Sequence, residues 1–252
     1  MRRRSLLLVP AAGLLGATDR VAVAATPISR MDTPWWRARH LEKLAEIRRG
    51  RVELIWLGDS ITQDWELNGQ EEWRDFAPIW RRFYGDRQAV NLGFKGDSTS
   101  HLLWRMGNGE LDGMSPKAAV VLIGANNLGR VHWSADQTVA GIEAVVAELR
   151  RRLPGTRVLL IGVLPSVRGK WASRTTREIN AELAARFGSR EGVTYIDVSA
   201  IFMRGVEVER SQFLDDSLVP PDPPLHPTAQ AQRQIAEAIE PALAAMMGDR
   251  RH

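Results

Sequence analysis

Four stretches of this chain set a reactive side chain among turn-forming residues. They are Gly58-Asp59-Ser60, Gly93 to Gly96, Gly124-Ala125-Asn126-Asn127 and Leu225-His226-Pro227. Together they hold the parts that acyl transfer needs. These are a hydroxyl to attack a carbonyl, an imidazole to take its proton, and donors for the tetrahedral oxyanion. Ser60 is the candidate nucleophile and His226 the candidate base. The backbone N–H groups of Ser60 and Gly96 and the amide of Asn126 are the candidate oxyanion donors. Each stretch also has a plainer reading. Gly, Asp, Ser and Asn are common turn formers, and a histidine taken alone is more often an ordinary surface or packed residue.

Positioning is the deciding matter, and the hydrophobic pattern addresses it. Val52–Leu57 is a short apolar run closed by Gly58, the signature of a buried parallel strand. Ala89–Leu92, Ala118–Ile123, Arg157–Val163 and Val193–Val198 read the same way. Helical patterns alternate with them at Met31–Arg49, Gln70–Phe83, Thr99–Gly107, Thr138–Leu153 and Thr175–Phe187. A last helix runs from Thr228 to Ile239, where Pro241 is expected to bend or end it. Five strand–helix alternations predict an α/β fold, a flavodoxin-like three-layer α/β/α sandwich on a five-stranded parallel sheet. Such a sheet gathers every strand's carboxyl end on one edge. Ser60 follows the first strand, Gly96 the second and Asn126 the third, while His226 precedes the final helix.

The four stretches, in this order and spacing, resemble the GDSL, or SGNH, hydrolase family. The segment Asn91-Leu92-Gly93-Phe94-Lys95-Gly96-Asp97-Ser98-Thr99, with Leu103-Trp104-Arg105 and Asn108-Gly109-Glu110-Leu111, is similar to the branch containing the catalytic subunits of platelet-activating-factor acetylhydrolase and their bacterial relatives. The resemblance spans about residues 35–245. It implies a serine esterase for short acyl groups, acetyl above all, with an acyl-enzyme on Ser60. It implies that His226 acts as base and then acid, that Ser60, Gly96 and Asn126 form the oxyanion hole, and that no metal or organic cofactor takes part. That branch dimerises, so a homodimer is a further implication.

Two positions depart from the family pattern. The family usually carries an aspartate three residues before the histidine, where this chain has Pro223; Asp222 lies one residue further back. An aspartate there orients the imidazole and stabilises its protonated form. Asp222 reaches the ring if the double-proline loop bulges by one residue. Asp215 or Asp216 could substitute, or a backbone carbonyl could orient the ring in a serine–histidine dyad. The missing acid also leaves open a weakly active or non-catalytic carbohydrate-binding descendant, and an acyltransferase is a third reading. Asn127 stands where many members have aspartate, though the acetylhydrolase branch has asparagine too.

Composition narrows the remainder. The 252 residues suit one domain, and the absence of cysteine excludes disulfides and thiolate chemistry. His40, His101, His132 and His252 show no metal-ligand spacing. Arg2-Arg3-Arg4, an apolar run over Ser5–Ala17 and Ala22-Val23-Ala24 read as an export signal over residues 1–24, of twin-arginine type, leaving a domain over residues 25–252. The run is too short for stable membrane insertion, so a periplasmic or secreted protein is expected. Loss of residues 1–24 removes four arginines and one aspartate, and the net charge of +4 falls to +1. With no basic run among aromatics, nucleic-acid binding is not expected. Of nine tryptophans, Trp65 and Trp171, together with Trp133 and its neighbour His132, fall on loops expected at the active edge. Aromatic faces stack on sugar rings, so a small-molecule or carbohydrate ester is the expected substrate; packing is the plainer role for these rings.

Overall fold

The computed structural model of the chain describes residues 23–69, 74–215 and 225–250. Its centre is a five-stranded sheet of β1 (Leu54–Gly58), β2 (Ala89–Gly93), β3 (Ala118–Leu122), β4 (Arg157–Ile161) and β5 (Val193–Ile196), ordered β2-β1-β3-β4-β5. All four pairings are parallel. The expected flavodoxin-like order is therefore present, with its topological switch point between β1 and β3.

The helices are α1 (Pro34–Arg49), α2 (Ser60–Gln63), α3 (Phe76–Tyr84), α4 (Thr99–Arg105), α5 (Ala125–Gly129), α6 (Ala135–Arg152), α7 (Lys170–Phe187) and α8 (Ala229–Met247). Strand side chains alternate between the two faces, and each face builds its own core. Ile55, Leu57, Val121 and Leu160 pack with Leu102, Ile142, Val146 and Ile179 from α4, α6 and α7. Leu54, Trp56, Val120 and Leu159 pack with Phe83, Ile235, Ile239 and Leu243 from α3 and α8. Both faces of β1 and β3 are covered, so those strands are buried along their whole length.

Three expectations need adjustment. Pro241 does not end the last helix, which continues to Met247. An internal proline costs about 3 kcal/mol, but Leu243, Met246 and Met247 beyond it are buried. Each such side chain contributes about 1.5–3 kcal/mol, so burial outweighs the lost hydrogen bond. The second helix begins at Phe76, while residues 70–73 lie outside the described residues. The stretch after β5 contains a small antiparallel hairpin, β6 (Met203–Arg204) and β7 (Glu207–Val208). Among the described residues no helix is long and apolar enough to cross a membrane.

The expected leader lies outside the described residues except for Val23 and Ala24. Ala24 is fully buried, and its carbonyl accepts a hydrogen bond from Thr99 Oγ1 at 2.8 Å. The Val23 carbonyl accepts one from Ser100 Oγ at 2.7 Å.

Candidate active site

β1 delivers Ser60 to the sheet edge. Asp59 caps α2, its side chain accepting the Ile61 N–H at 3.0 Å. The chain must fold back sharply onto the strand ends here, and two glycines permit it. A Cβ on Gly58 would lie 2.1 Å from Thr62 Oγ1, and one on Gly93 would lie 2.2 Å from the Gln63 nitrogen. Asn91 ties the end of β2 to α2, donating to the Thr62 carbonyl and accepting from the Gly93 N–H, both at 2.8 Å.

His226 arrives from the far end of the chain. Its carbonyl accepts the Leu214 N–H at 2.8 Å, and the Thr228 N–H donates to the Gln212 carbonyl at 2.9 Å. This short pairing clamps the backbone on both sides of the ring. Thr228 then caps α8, and Gln232 on that helix donates to the Ile61 carbonyl at 2.8 Å. The outcome is a 2.8 Å hydrogen bond between His226 Nε2 and Ser60 Oγ. Both residues are largely buried, at 9% and 5% exposure.

The loop after β2 supplies the next part. Gly96 has φ +76°, a left-handed conformation that favours glycine. Its N–H donates to no protein acceptor among the described residues. The Lys95 N–H beside it donates to Gln63 Oε1 at 2.8 Å. Beneath the loop, Asp97 accepts hydrogen bonds from Arg30, Trp36 and Arg105 at 2.8–2.9 Å. Asn126, at the start of α5, donates from Nδ2 to the Asp97 carbonyl at 3.1 Å, which fixes its amide next to the Gly96 loop.

Asn127 explains its own departure from aspartate. Its Oδ1 accepts the Thr99 N–H at 3.1 Å and its Nδ2 donates to Thr99 Oγ1 at 2.9 Å. The Thr99 hydroxyl proton is already committed to the Ala24 carbonyl. A carboxylate at position 127 could accept but not donate.

Two buried carboxyls beside Ser60 in sequence, those of Asp59 and Asp64, are strongly perturbed. Burial pushes Asp59 up to about 7, against the pull of the Ile61 N–H. Burial likewise raises Asp64 to about 6, opposed by Lys95. Of the carboxylates considered as partners for the imidazole, Asp222 and Asp216 lie outside the described residues, and Asp215 is exposed.

The aromatic expectations divide. Trp65 is 1% exposed, packed against Trp56 and Tyr84 with centroids 5.8 and 5.7 Å away. The tight turn over Asp64–Glu66 rolls its indole into the core under α3 and α8, so it offers no face to a ligand. Trp133 is half-buried, and its backbone N–H donates to the Asn127 carbonyl at 2.9 Å. His132 and Trp171 do come together, with ring centroids 5.5 Å apart. His132 has φ +53°, an uncommon conformation for a residue with a side chain. With Asn126, Arg130, Ala172 and Leu225 these rings line a pocket of about 190 Å³. A larger cavity, about 970 Å³, lies between α7 and the β6–β7 hairpin, and Ser60, Asn126 and His226 do not line it. Sequence reasoning did not single out Arg130, nor the structural role of Arg105, although Arg105 stands in one of the segments that carried the resemblance.

Comparison with known proteins identifies the family. Residues 56–234 match the GDSL-like Lipase/Acylhydrolase family. The platelet-activating factor acetylhydrolase IB subunit alpha1 of Bos taurus is 33% identical over 171 residues, which is 67% of this chain and 68% of that protein. A GDSL-like lipase from Bacteroides thetaiotaomicron has a similar fold, with a TM-score of 0.65 and 16% identity over 82% of this chain and 97% of that one. A carbohydrate esterase family 3 structure from Talaromyces cellulolyticus has a TM-score of 0.54 and 15% identity, covering 78% and 98%. The chain belongs to the GDSL-like lipase/acylhydrolase family and is a carboxylic ester hydrolase.

Proposed function

We propose that the protein is an exported serine esterase that removes short acyl groups, acetyl above all, through an acyl-enzyme on Ser60. The observation that carries this reading is the 2.8 Å bond between His226 Nε2 and Ser60 Oγ. His226 takes the hydroxyl proton as Ser60 Oγ bonds to the acyl carbon. The oxyanion is held by the N–H groups of Ser60 and Gly96 and by Asn126 Nδ2. As the intermediate collapses, the ester C–O bond breaks and His226 returns the proton to the departing alcohol. Water then repeats the sequence, and the carboxylic acid leaves. Asp222 is the proposed orienting acid for His226.

The size of the acyl group is argued from the pocket beside Asn126. At about 190 Å³ it falls below the range of drug-sized sites, roughly 300–1,000 Å³. The paired rings of His132 and Trp171 support a sugar or other flat polar alcohol on the leaving side. The test is hydrolysis of 4-nitrophenyl acetate with labelling by a fluorophosphonate. Wild type is expected to do both and Ser60→Ala neither. Asn126→Ala is expected to lose about 10²–10³ in kcat. Equal hydrolysis by wild type and Ser60→Ala would reject the reading.

A further inference from the structure

Two arginines, Arg130 and Arg168, line the pocket beside Asn126. Arg168 is committed, donating from Nη1 to the Ala125 carbonyl at 2.8 Å and from Nε to Ser166 Oγ at 3.0 Å, whereas the catalytic geometry leaves Arg130 without a role. Arg130 lies four residues after Asn126, just past the end of α5, and is exposed. Its guanidinium makes no hydrogen bond or ion pair among the described residues. Yet it is drawn up to the glycine loop. A Cβ on Gly96 would lie 3.3 Å from the guanidinium carbon and 3.4 Å from Nε. Arg30 flanks the same glycine but is committed, donating to the Lys95 carbonyl and to Asp97. Among the described residues no Asp or Glu lines this pocket. The cation therefore borders the Gly96 loop and the pocket that Asn126 lines, with its donors unspent.

We infer that Arg130 is a specificity-determining residue that binds an anionic group, carboxylate or phosphate, carried by the ester substrate. Its planar fork of five donors fits either group. A charge-assisted hydrogen bond of this kind contributes roughly 1.5–3 kcal/mol, so the preference it confers is roughly tenfold to hundredfold. A neutral ester would leave the guanidinium hydrated and gain nothing from it. The inference rests on the esterase reading for its substrate and names the class of ester which that site takes.

The experiment compares anionic esters with neutral partners of the same shape. Mono-4-nitrophenyl glutarate against 4-nitrophenyl valerate puts the charge on the acyl side. 4-Acetoxybenzoate against its methyl ester puts it on the alcohol side. Wild type is expected to favour the anionic member of one pair in kcat/KM, and that pair tells which part of the substrate carries the anion. Arg130→Gln is expected to lower this preference by roughly tenfold or more, and Arg130→Lys by less, because an ammonium keeps the charge but not the fork. The added preference should weaken in high salt. An unchanged preference in Arg130→Gln overturns the inference. So does an equal loss on both members of each pair, which would mean that Arg130 acts on the oxyanion. A second arm needs no turnover. Glutarate and 4-hydroxybenzoate are titrated into the Ser60→Ala protein with and without Arg130→Gln. Anion binding that depends on Arg130 in this arm upholds the anion site whatever the turnover assays give, and a wild type that hydrolyses none of these esters rejects only the esterase reading. Binding that is indifferent to Arg130 overturns the inference.

Discussion

Arg105 and Asp97 form an ion pair at 2.8 Å with neither side chain exposed to solvent, directly below the glycine loop of the candidate site. Arg105 also donates to the carbonyls of Gly58 and Leu92, the ends of β1 and β2, and pairs with the buried Glu110. Its guanidinium lies 4.0 Å from the centre of the Phe94 ring. One cation thus ties together the two strand ends that deliver Ser60 and Gly96. Removing one partner of such a pair typically costs about 3–5 kcal/mol, because the other charge stays buried without compensation.

Arg105→Gln is accordingly expected to lower unfolding stability by roughly that amount, even with Arg30 and Trp36 still bonded to Asp97. Arg105→Lys should recover only part, since an ammonium cannot reach two carboxylates and two carbonyls at once. Urea denaturation monitored by tryptophan fluorescence checks both. A loss within about 0.5 kcal/mol, the range of an ordinary surface change, would show that the network holds little.

Asp59 makes a prediction about pH. Its carboxyl is raised by burial to about 7 from an ordinary 3.8. Between those values the native state binds more protons than the unfolded chain, so stability falls as pH rises. The contribution is fully present below about pH 4, lost through pH 7, and level above that; its size is on the order of a few kcal/mol. Asp64, raised to about 6, acts in the same direction over a narrower range. Asp59→Asn keeps an oxygen for the Ile61 N–H and removes the titration. Its urea midpoint should change less between pH 5 and pH 8 than that of wild type. An undiminished pH dependence in this variant would assign the effect elsewhere.

The anchoring of Ala24 bears on where an export signal can be cut. A chain starting at Ala25 loses the buried Ala24 methyl and the acceptors for the Thr99 and Ser100 hydroxyls. Leaving buried hydroxyls unsatisfied costs about 1–3 kcal/mol each. A chain starting at Val23 should therefore melt several degrees above one starting at Ala25. Equal melting temperatures would show that the new terminus replaces what was lost.

The sheet was legible because each strand is a short apolar run ended by a turn residue, and a strand buried on both faces has few other compositions open to it. Helix limits were less legible. The pattern at Pro241 reads as a stop, and only the apolar surface waiting beyond it keeps α8 going. Trp65 shows the same limit from the other side. Five residues after the serine, it looks like a rim residue, but one tight turn sends it into the core under α3 and α8.

Residue types and the alternation of apolar runs with helical patterns along the chain were enough to name the residues able to do acyl chemistry and the sheet edge each would reach, since both are read from local stretches. Tertiary structure alone decided that residues 166 positions apart stand 2.8 Å from each other. It alone decided that Arg105 is a buried tie and that Arg130 faces the pocket. Those outcomes depend on which side chains are left to compensate one another once the layers close. No window along the chain contains that information.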